Sequence, residues 1–327
     1  MPILKATASA NSNIAFIKYW GNRDESMRLP VNGSISMNLA GLETCTSVTF
    51  SDLRKYDSLT INGRPTTGAA CQRVSVFLDL VRQMAGINIR AEVTSVSNFP
   101  LGAGLASSAA AFAALALAAT KAAGIELNEA GLSRLARRGS GSACRSIQGG
   151  FVEWQMGGGE ADSYAVSIAP PGHWHLVDCI AIVSSHPKAT GSTEGQALVG
   201  TSPLQAIRVS DAPRRLELCR NAILQRDFGA LAGIVELDSN MLHAVMMTSN
   251  PALFYWQAAT LTVMQAVRTA RAKGLPVCYT IDAGPNVHVI TEAAEAEHTV
   301  GLLRSLSGVK EVRKAYVGGP ARVLSGE

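Results

Sequence analysis

A glycine-containing loop is the strongest local sign of chemistry in the sequence, and it reads PLGAGLASSAA from Pro100 to Ala110. Glycine lets backbone amides approach an anion closely, and the helix that follows points its unpaired N–H groups and positive dipole end at the same place. Ser107 and Ser108 add hydroxyl donors in the first turn. The pattern predicts a phosphate-binding loop other than Walker A, because no Gly-Lys-Ser/Thr follows. Taken alone, it also fits an ordinary loop before a core helix.

Two charged residues are placed where they could act on a bound anion. Asp282 ends an apolar strand and precedes Ala-Gly-Pro-Asn, so its carboxylate should project from a sharp turn into a cleft, although a surface turn uses the same residue types. Arg145 follows a run of small residues that cannot cover it, and a guanidinium can hold a carboxylate by two parallel hydrogen bonds. A surface ion pair is the alternative for Arg145 considered by itself.

Composition limits the classes of function. The chain has 327 residues, 47% hydrophobic and 17% charged, so it can bury a large core and form two lobes. The formal net charge is +4, and Lys and Arg are scattered, which argues against a nucleic-acid partner. The cysteines form no Cys-x-x-Cys pair and the N-terminus lacks a signal-peptide pattern, so we expect a cytoplasmic protein with reduced thiols.

One uncharged stretch, from Phe99 to Thr120, is long enough to span a bilayer. It contains a proline and glycines and is dominated by Ala, which favours lipid far less than Leu or Ile does. We therefore predict a buried helix preceded by the glycine loop, and no membrane partner.

Hydrophobic periodicity predicts the elements of the first half. Helical spacing predicts a helix over residues 70–84, and alternation predicts a strand over 89–96 before the glycine loop and its Ala-rich helix. Segments rich in β-branched residues at 44–50 and 57–61, followed by an Asn-Gly turn, predict a hairpin.

Glycine and proline clusters at 157–159 and 170–172 predict a boundary near Gly172. The resulting domains are residues 1–172 and 173–327. In the second half, hydrophobic patterns predict strands over 176–183, 277–282, 287–290 and 312–316, and helices over 202–226, 228–241 and 252–273.

Five segments, in this order along the chain, resemble the mevalonate diphosphate decarboxylase family of the GHMP kinase superfamily. They are residues 13–21 (NIAFIKYWG), 98–110 (NFPLGAGLASSAA), 137–146 (RRGSGSACRS), 238–244 (DSNMLHA) and 279–286 (YTIDAGPN). The resemblance covers nearly the whole chain. It implies an α+β, two-lobed GHMP kinase fold, with a ribosomal-S5-like N-terminal lobe and a ferredoxin-like C-terminal lobe, and it implies a homodimer.

The same resemblance implies residue roles in an ATP-dependent decarboxylation. Asp282 would engage the C3 hydroxyl of a phosphorylated mevalonate as that hydroxyl attacks the γ-phosphoryl group. Arg145 would hold the C1 carboxylate with support from Asn13, and Lys18 would be a cation near the transferred phosphate. The residues at the phosphate end of the substrate would be Tyr19, Asn22, Ser140, Gly141 and Ser142. The residues at the ATP phosphates would be Gly102, Gly104, Leu105, Ala106, Ser107 and Ser108, the last of them also catalytic.

ATP and Mg²⁺ are the implied cofactors, because charge on the transferring phosphoryl group must be neutralised. Loss of phosphate from C3 and cleavage of the C1–C2 bond would then release CO₂ and form the alkene. No independent cluster of metal ligands is visible in the sequence. His173 and His175 flank Trp174 at strand spacing, but two histidines without a third ligand are more often structural, so we assign them no metal.

Two segments depart from the family pattern. Residues 188–193 (KATGST) are a looser match to the family's Lys-x-x-Ser-Ser-Thr, and residue 22 is the second departure. The family reads Lys-Tyr-Trp-Gly-Lys where this chain reads KYWGN at residues 18–22, and the missing lysine would contact the substrate's diphosphate. We therefore predict mevalonate 5-phosphate as the substrate and isopentenyl phosphate as the product. Mevalonate 5-diphosphate is the alternative if another basic residue, such as Arg23 or Arg208, replaces that lysine. A mevalonate 3-kinase is another class, which release of CO₂ separates from a decarboxylase. A nucleotide-binding protein without catalysis is the third, and it would hydrolyse no ATP with any mevalonate derivative.

Overall fold

The computed structural model describes residues 4–99, 107–186, 188 and 190–326. Within these ranges the chain forms a large sheet covered by helices, together with a short two-stranded ribbon, which confirms the predicted α+β class. The part of the glycine loop that holds Gly102, Gly104, Leu105 and Ala106 lies outside the described residues. Among the described helices, none combines the length and the apolar character needed to cross a membrane.

The strands are β1 (Leu4–Ile17), β2 (Asn22–Asp24), β3 (Leu29–Pro30), β4 (Ser34–Ser51), β5 (Ser58–Ile61), β6 (Arg64–Thr66), β7 (Arg90–Ser97), β8 (Phe151–Trp154), β9 (Ala165–Ala169), β10 (Leu176–Ile182), β11 (Val277–Thr280), β12 (Val287–Glu292), β13 (Glu311–Val317) and β14 (Arg322–Gly326). The α-helices are α1 (Ala69–Ala85), α2 (Ser107–Ala122), α3 (Glu129–Gly139), α4 (Ser192–Ala197), α5 (Gln205–Ser210), α6 (Ala212–Gln225), α7 (Phe228–Met247), α8 (Ala258–Ala272) and α9 (Ala296–Arg304). Short 3₁₀ helices cover Gly141–Ser146, Val199–Thr201 and Ala293–Glu295.

Strand β4 holds the sheet together, because it pairs antiparallel with β1, β7, β8 and β13. Its pairing with β13, at Tyr316↔Ala40 and Val317↔Leu39, joins the strands of the first half to the order β11-β12-β10-β13 of the second. Strand β1 is buried on both faces from Ala8 onward, as expected for a strand between helices and a second layer. Because both halves share one sheet, the ends of β1 and β11 are held at fixed positions relative to each other.

Helix α2 is the Ala-rich helix predicted after the glycine loop. It packs against β1 and β4, and most of its side chains are buried. Ala side chains are short, so the helix axis can approach the sheet closely without leaving cavities. This packing places the first turn of α2, with Ser107 and Ser108, beside the end of β1.

Most predicted elements are confirmed, with α1, α2, α8, β7 and β10 at nearly the predicted positions. The helix predicted over 202–226 is two helices that meet at Asp211. The predicted turn at Asn62-Gly63 does close a hairpin, formed by β5 and β6. The segment over 44–50 is not part of it, because β4 pairs with β7, to which β5 runs parallel. Helix α1 supplies the long crossover that a parallel pair requires.

Gly150 gives a test of this architecture. Its φ is +80°, and a Cβ there would lie 2.1 Å from the carbonyl oxygen of Ala169. We expect Gly150→Ala to destabilise the protein by roughly 2 kcal/mol or more, since both the backbone conformation and the overlap are unfavourable. Denaturant unfolding measures this change. The matched control is Gly172→Ala, where a Cβ meets nothing within 4 Å. The expected change in the free energy of unfolding there is about 0.5 kcal/mol or less. Equal effects of the two substitutions would contradict the packing described.

Candidate active site

A cavity of about 460 Å³ lies between the end of β1, the 3₁₀ helix over Gly141–Ser146, the first turn of α2 and the residues that follow β11. Its cationic lining residues outnumber its carboxylates, which suits an anionic ligand. The cations are Lys18, Arg28, Arg73, Arg145 and Lys188, and the carboxylates are Glu194 and Asp282. The predicted site residues that line it are Lys18, Tyr19, Ser107, Ser108, Ser140, Gly141, Ser142, Arg145 and Asp282.

Asp282 lies just beyond β11 and forms an ion pair with Lys18, whose Nζ is 2.6 Å from Asp282 Oδ1. The Lys18 side chain is only 2% exposed, whereas that of Asp282 is 26% exposed toward the cavity. Burial raises the pKa of the Asp282 carboxyl, but the charges of Lys18, His288 and Arg145 outweigh burial and hold it below its usual value. Asp282 is therefore an ionised carboxylate with access to a ligand, as a proton acceptor must be.

The backbone of Lys18 is fixed on both sides by buried polar groups. Its N–H donates to Asp238 Oδ1 at 2.8 Å, and its carbonyl accepts from Arg208 Nη2 at 2.7 Å and from Asn32 Nδ2 at 3.0 Å. Asp238 in turn forms a fully buried ion pair with Arg215, at 2.9 Å. Helices α5, α6 and α7 thus position the end of β1 opposite Asp282.

Arg145 is a buried cation that no carboxylate neutralises within the described part of the chain. It is 3% exposed, and its guanidinium donates to Ser36 Oγ at 3.0 Å, Ser34 Oγ at 2.5 Å and Asn13 Oδ1 at 3.2 Å. Burial lowers the pKa of Arg145. Because a buried charge without a counter-charge is unfavourable, this wall of the cavity favours an anionic ligand.

Asn13 supports Arg145 from β1. Its Nδ2 donates to Ser146 Oγ at 2.8 Å and to the carbonyl oxygen of Ser142 at 3.2 Å, which orients its Oδ1 toward the guanidinium. The amide therefore couples the strand to the 3₁₀ helix that carries Arg145. This is the supporting position predicted for Asn13, which is not itself among the residues that line the cavity.

Tyr19 and Gly141 shape the middle of the cavity. A Cβ on Gly141 would lie 2.6 Å from Tyr19 Cε1, so glycine is needed for the ring to pass. The ring also packs on Trp154, with centroids 4.7 Å apart. Ser108 Oγ lies 3.1 Å from Ser140 Oγ, which brings the start of α2 to the end of α3. Tyr19, Ser108, Ser140 and Gly141, all assigned to phosphates, are thus close together in space.

Asn22 lies beside the cavity rather than on its wall. Its Oδ1 accepts from the Tyr19 hydroxyl at 2.5 Å, and its Nδ2 donates to Glu25 Oε2 at 2.8 Å. The two basic residues named as substitutes for a lysine at this position do not line the cavity either. Arg23 donates to the carbonyl oxygens of Met156 and Gly157, and Arg208 is buried against Lys18. Neither residue is therefore placed on the cavity wall, and the hypothesis that one of them replaces the lysine stays a prediction.

Several residues of the site were missed from the sequence. Arg28 and Arg73 line the cavity from the β2–β3 turn and from α1. Lys188 Nζ donates to Ser192 Oγ at 2.6 Å and to the carbonyl oxygen of Ala283 at 2.8 Å. Only Lys188 had a sequence signal, a loose match to a family lysine motif over residues 188–193. The arginines come from segments without any local motif.

His288 is a further residue that the sequence did not reveal. Its Nδ1 lies 2.6 Å from Asp178 Oδ2, and both side chains are buried. Burial lowers the pKa of His288, but the Asp178 carboxylate raises it more, with a smaller contribution from Asp282. The residue pairs with Thr280 on the adjacent strand, so its charge lies close behind Asp282.

The carboxylates that reach the cavity fit a magnesium ion held mainly by phosphates. Mg²⁺ usually takes one or two carboxylates together with substrate phosphates, and Asp282 and Glu194 line the cavity. No group of three or more His, Cys, Asp or Glu that could hold a metal occurs in the described ranges. His173 Nε2 contacts the carbonyl oxygen of Ile223, a structural role.

This fold and this site define an enzyme that binds a small anionic substrate and presents a fixed, ionised carboxylate to it. Two sequence families match the chain. The family described as Diphosphomevalonate decarboxylase-like N-terminal domain matches residues 10–165, and that described as Mevalonate 5-diphosphate decarboxylase C-terminal domain matches residues 179–324. The chain belongs to the diphosphomevalonate decarboxylase family.

Individual relatives agree with this assignment. The diphosphomevalonate decarboxylase of Candida albicans is 40% identical over 316 residues, 91% of this chain and 87% of that protein. A solved structure of mevalonate diphosphate decarboxylase from Enterococcus faecalis is 36% identical, with a TM-score of 0.92 over 99% of this chain and 100% of that one. A structure described as MDDEF in complex with MVAPP, AMPPCP and magnesium is 36% identical, with a TM-score of 0.93 over the same shares. The predicted family, two-lobed GHMP kinase fold and decarboxylase class are confirmed.

Lys18→Met tests the electrostatic role of the Lys18–Asp282 pair. Removing the cation should raise the pKa of Asp282, because Lys18 is the largest influence that lowers it. We expect kcat/KM to fall at least about tenfold and its acidic limb to move to higher pH. A pH profile of kcat/KM measures both changes. Lys5→Met, at an exposed position of the same strand, is the control, and an unshifted acidic limb in Lys18→Met would contradict the assignment.

Proposed function

We propose that this protein catalyses the ATP-dependent decarboxylation of mevalonate 5-diphosphate, which yields isopentenyl diphosphate, ADP, phosphate and CO₂. The observation that carries the proposal is the pairing, in one cavity, of a buried and unneutralised Arg145 with an ionised Asp282. A decarboxylase of this kind needs a cation for the substrate carboxylate and a proton acceptor for the hydroxyl. The names of the relatives, and the MVAPP bound in one related structure, favour the diphosphate over the monophosphate predicted from Asn22.

The residues divide the reaction between two ends of the cavity. Asp282 accepts the proton of the C3 hydroxyl as that oxygen attacks the γ-phosphoryl group, while Lys18 holds the carboxylate and lies next to the developing charge. Arg145 fixes the C1 carboxylate in a buried position. When phosphate leaves C3, the electrons of the C1–C2 bond form the alkene and CO₂ is released. ATP supplies the phosphoryl group, and Mg²⁺ neutralises its charge.

An adjoining cavity supports ATP as the phosphoryl donor. It has a volume of about 210 Å³ and shares Arg73, Ser107 and Ser108 with the first cavity. Its remaining lining is mostly apolar, as suits a stacked base: Leu59, Ile61, Val74, Val93, Phe112 and Leu115 are among these residues. We propose that the base binds here, so that the phosphates pass the start of α2 and reach Asp282. AMPPCP and magnesium in the related structure support the same cofactors.

Mevalonate 5-phosphate is the second candidate substrate, and Asn22 is the observation that favours it. The amide of Asn22 is engaged by Tyr19 and Glu25 and supplies no positive charge to a second phosphate. A mevalonate 3-kinase would use Asp282 in the same way but would release no CO₂. The homodimer implied by the resemblance, and the cytoplasmic location expected from the cysteines and the N-terminal sequence, stay predictions.

Product analysis with the purified protein tests the proposal. Mevalonate, mevalonate 5-phosphate and mevalonate 5-diphosphate are each supplied with ATP and Mg²⁺, and ADP, CO₂ and the alkene are quantified. We expect equal amounts of ADP and CO₂, and the highest kcat/KM with the diphosphate. Highest kcat/KM with the monophosphate would establish the second candidate, and ADP without CO₂ would establish the kinase.

Asp282→Asn tests the proton acceptor. The change is nearly isosteric and removes the charge, so we expect kcat to fall about 10²- to 10⁴-fold while the affinity for ATP is retained. Steady-state kinetics and nucleotide binding measure these quantities. Asp52→Asn, at an exposed turn, is the control and should behave like the wild type. A rate near normal in Asp282→Asn would remove this carboxylate from the mechanism.

A further inference from the structure

Arg28 has an uncommon backbone conformation at the edge of the cavity. It lies in the turn between β2 and β3 with φ of +50°, a left-handed conformation that is unfavourable for a residue with a long side chain. Strain of this kind persists where the surrounding structure holds it, and it often occurs at ligand sites. Here it accompanies a guanidinium on the cavity wall.

The Arg28 guanidinium is anchored through its Nε, whereas its terminal nitrogens form no ion pair within the described residues. Its Nε donates to the carbonyl oxygen of Arg138 at 3.2 Å, near the C-terminal end of α3, where carbonyl groups favour cations. Among residues 4–99, 107–186, 188 and 190–326, no carboxylate forms an ion pair with it. Its terminal nitrogens therefore remain able to bind an anionic ligand.

Arg73 makes the same region more positive. Its Nε and Nη2 donate to the carbonyl oxygen of Gly139, at 3.1 and 2.7 Å, and its guanidinium stacks on Phe112 at 4.7 Å. Burial and the nearby charge of Arg28 lower the pKa of Arg73 to about 10. Two arginines anchored on consecutive carbonyls, with no acid between them in the described chain, repel each other until an anion binds. Arg73 also lines the nucleotide cavity, so it can contact either ligand.

The order of groups along the cavity assigns Arg28 to the substrate. Arg145 and Gly141 belong to the same 3₁₀ helix, and Gly141 lies directly against the Tyr19 ring. Arg28 is held near the opposite end of that helix from Arg145, because its Nε donates to the carbonyl oxygen of Arg138, which precedes Gly141. A substrate whose carboxylate binds Arg145 and whose hydroxyl meets Asp282 therefore extends past Tyr19 toward Arg28. Its phosphate chain therefore ends beside the terminal nitrogens of the Arg28 guanidinium.

We propose that Arg28 binds the terminal phosphate of the substrate and supplies, from the far side of the β2–β3 turn, the positive charge that Asn22 does not supply. The inference rests on the proposed function, because it requires a diphosphate substrate. It explains how a chain without a lysine at position 22 can still use that substrate. Arg28 is in this view the residue that determines the preference between the diphosphate and the monophosphate.

Arg28→Asn is the decisive variant, because asparagine tolerates a left-handed conformation better than other residues do. The substitution removes the charge without straining the turn, so the protein should fold normally. We expect KM for mevalonate 5-diphosphate to rise about 10- to 100-fold, as for the loss of one charge-assisted contact. KM for ATP should stay within about twofold, and KM for the monophosphate should change much less than that for the diphosphate.

Two further variants complete the experiment. Arg226→Asn makes the same chemical change in the same backbone conformation, φ of +55°, at an exposed position outside both cavities, and should leave all three constants unchanged. Asn22→Lys combined with Arg28→Asn returns a cation to position 22 and should restore most of the affinity for the diphosphate.

The outcomes separate this inference from the function on which it rests. A wild-type protein that releases no CO₂ from mevalonate 5-diphosphate overturns the proposed function before any variant is made. If the wild type is active, a rise in KM for ATP alone assigns Arg28 to the nucleotide and overturns the inference. Unchanged constants in Arg28→Asn would show that the residue serves only the turn, and they overturn it too.

Discussion

Arg145 places a permanent positive charge inside the protein and surrounds it with neutral acceptors. Hydroxyl groups of β4 and the amide of Asn13 orient the guanidinium, but none of them neutralises it. A buried charge in this state is tolerated when it is well hydrogen-bonded and a ligand supplies the counter-charge. The 3₁₀ helix over Gly141–Ser146, strand β1 and strand β4 must therefore meet at one point, and the rest of the cavity is arranged around that point.

The opposite wall depends on a second buried network. Asp238 and Arg215 are both fully buried, and together with Arg208 they hold the backbone of Lys18. Buried ion pairs contribute little net stability, and their better-attested use is to specify one arrangement. Here the arrangement keeps the Lys18 ammonium against Asp282, which lowers the pKa of that carboxyl. His288, held by Asp178, also lowers the pKa of Asp282.

The part of the cavity near Tyr19 has a neutral residue at position 22 and a positive charge at Arg28. Asn22 is neutral, and its amide binds Tyr19 and Glu25. Arg28, six residues further along the chain, lies on the cavity wall in its place. The two positions are joined by the turn between β2 and β3. Position 22 alone therefore does not describe the charge at this part of the cavity.

The sequence by itself determined the family and the α+β class. It also predicted Asp282 and Arg145 as site residues, because each lies in a contiguous motif with its own turn or loop chemistry, and the structure places both on the wall of one cavity. Helices such as α1 and α2 were also predictable, since periodicity is a local property. The tertiary structure alone decided the rest. Arg28 and Arg73 come from separate segments without motifs, and only strand register and helix packing bring them together. The pairing of β5 with β7 rather than β4 has the same cause, because partners in a sheet are chosen by long-range packing, which a local pattern does not contain.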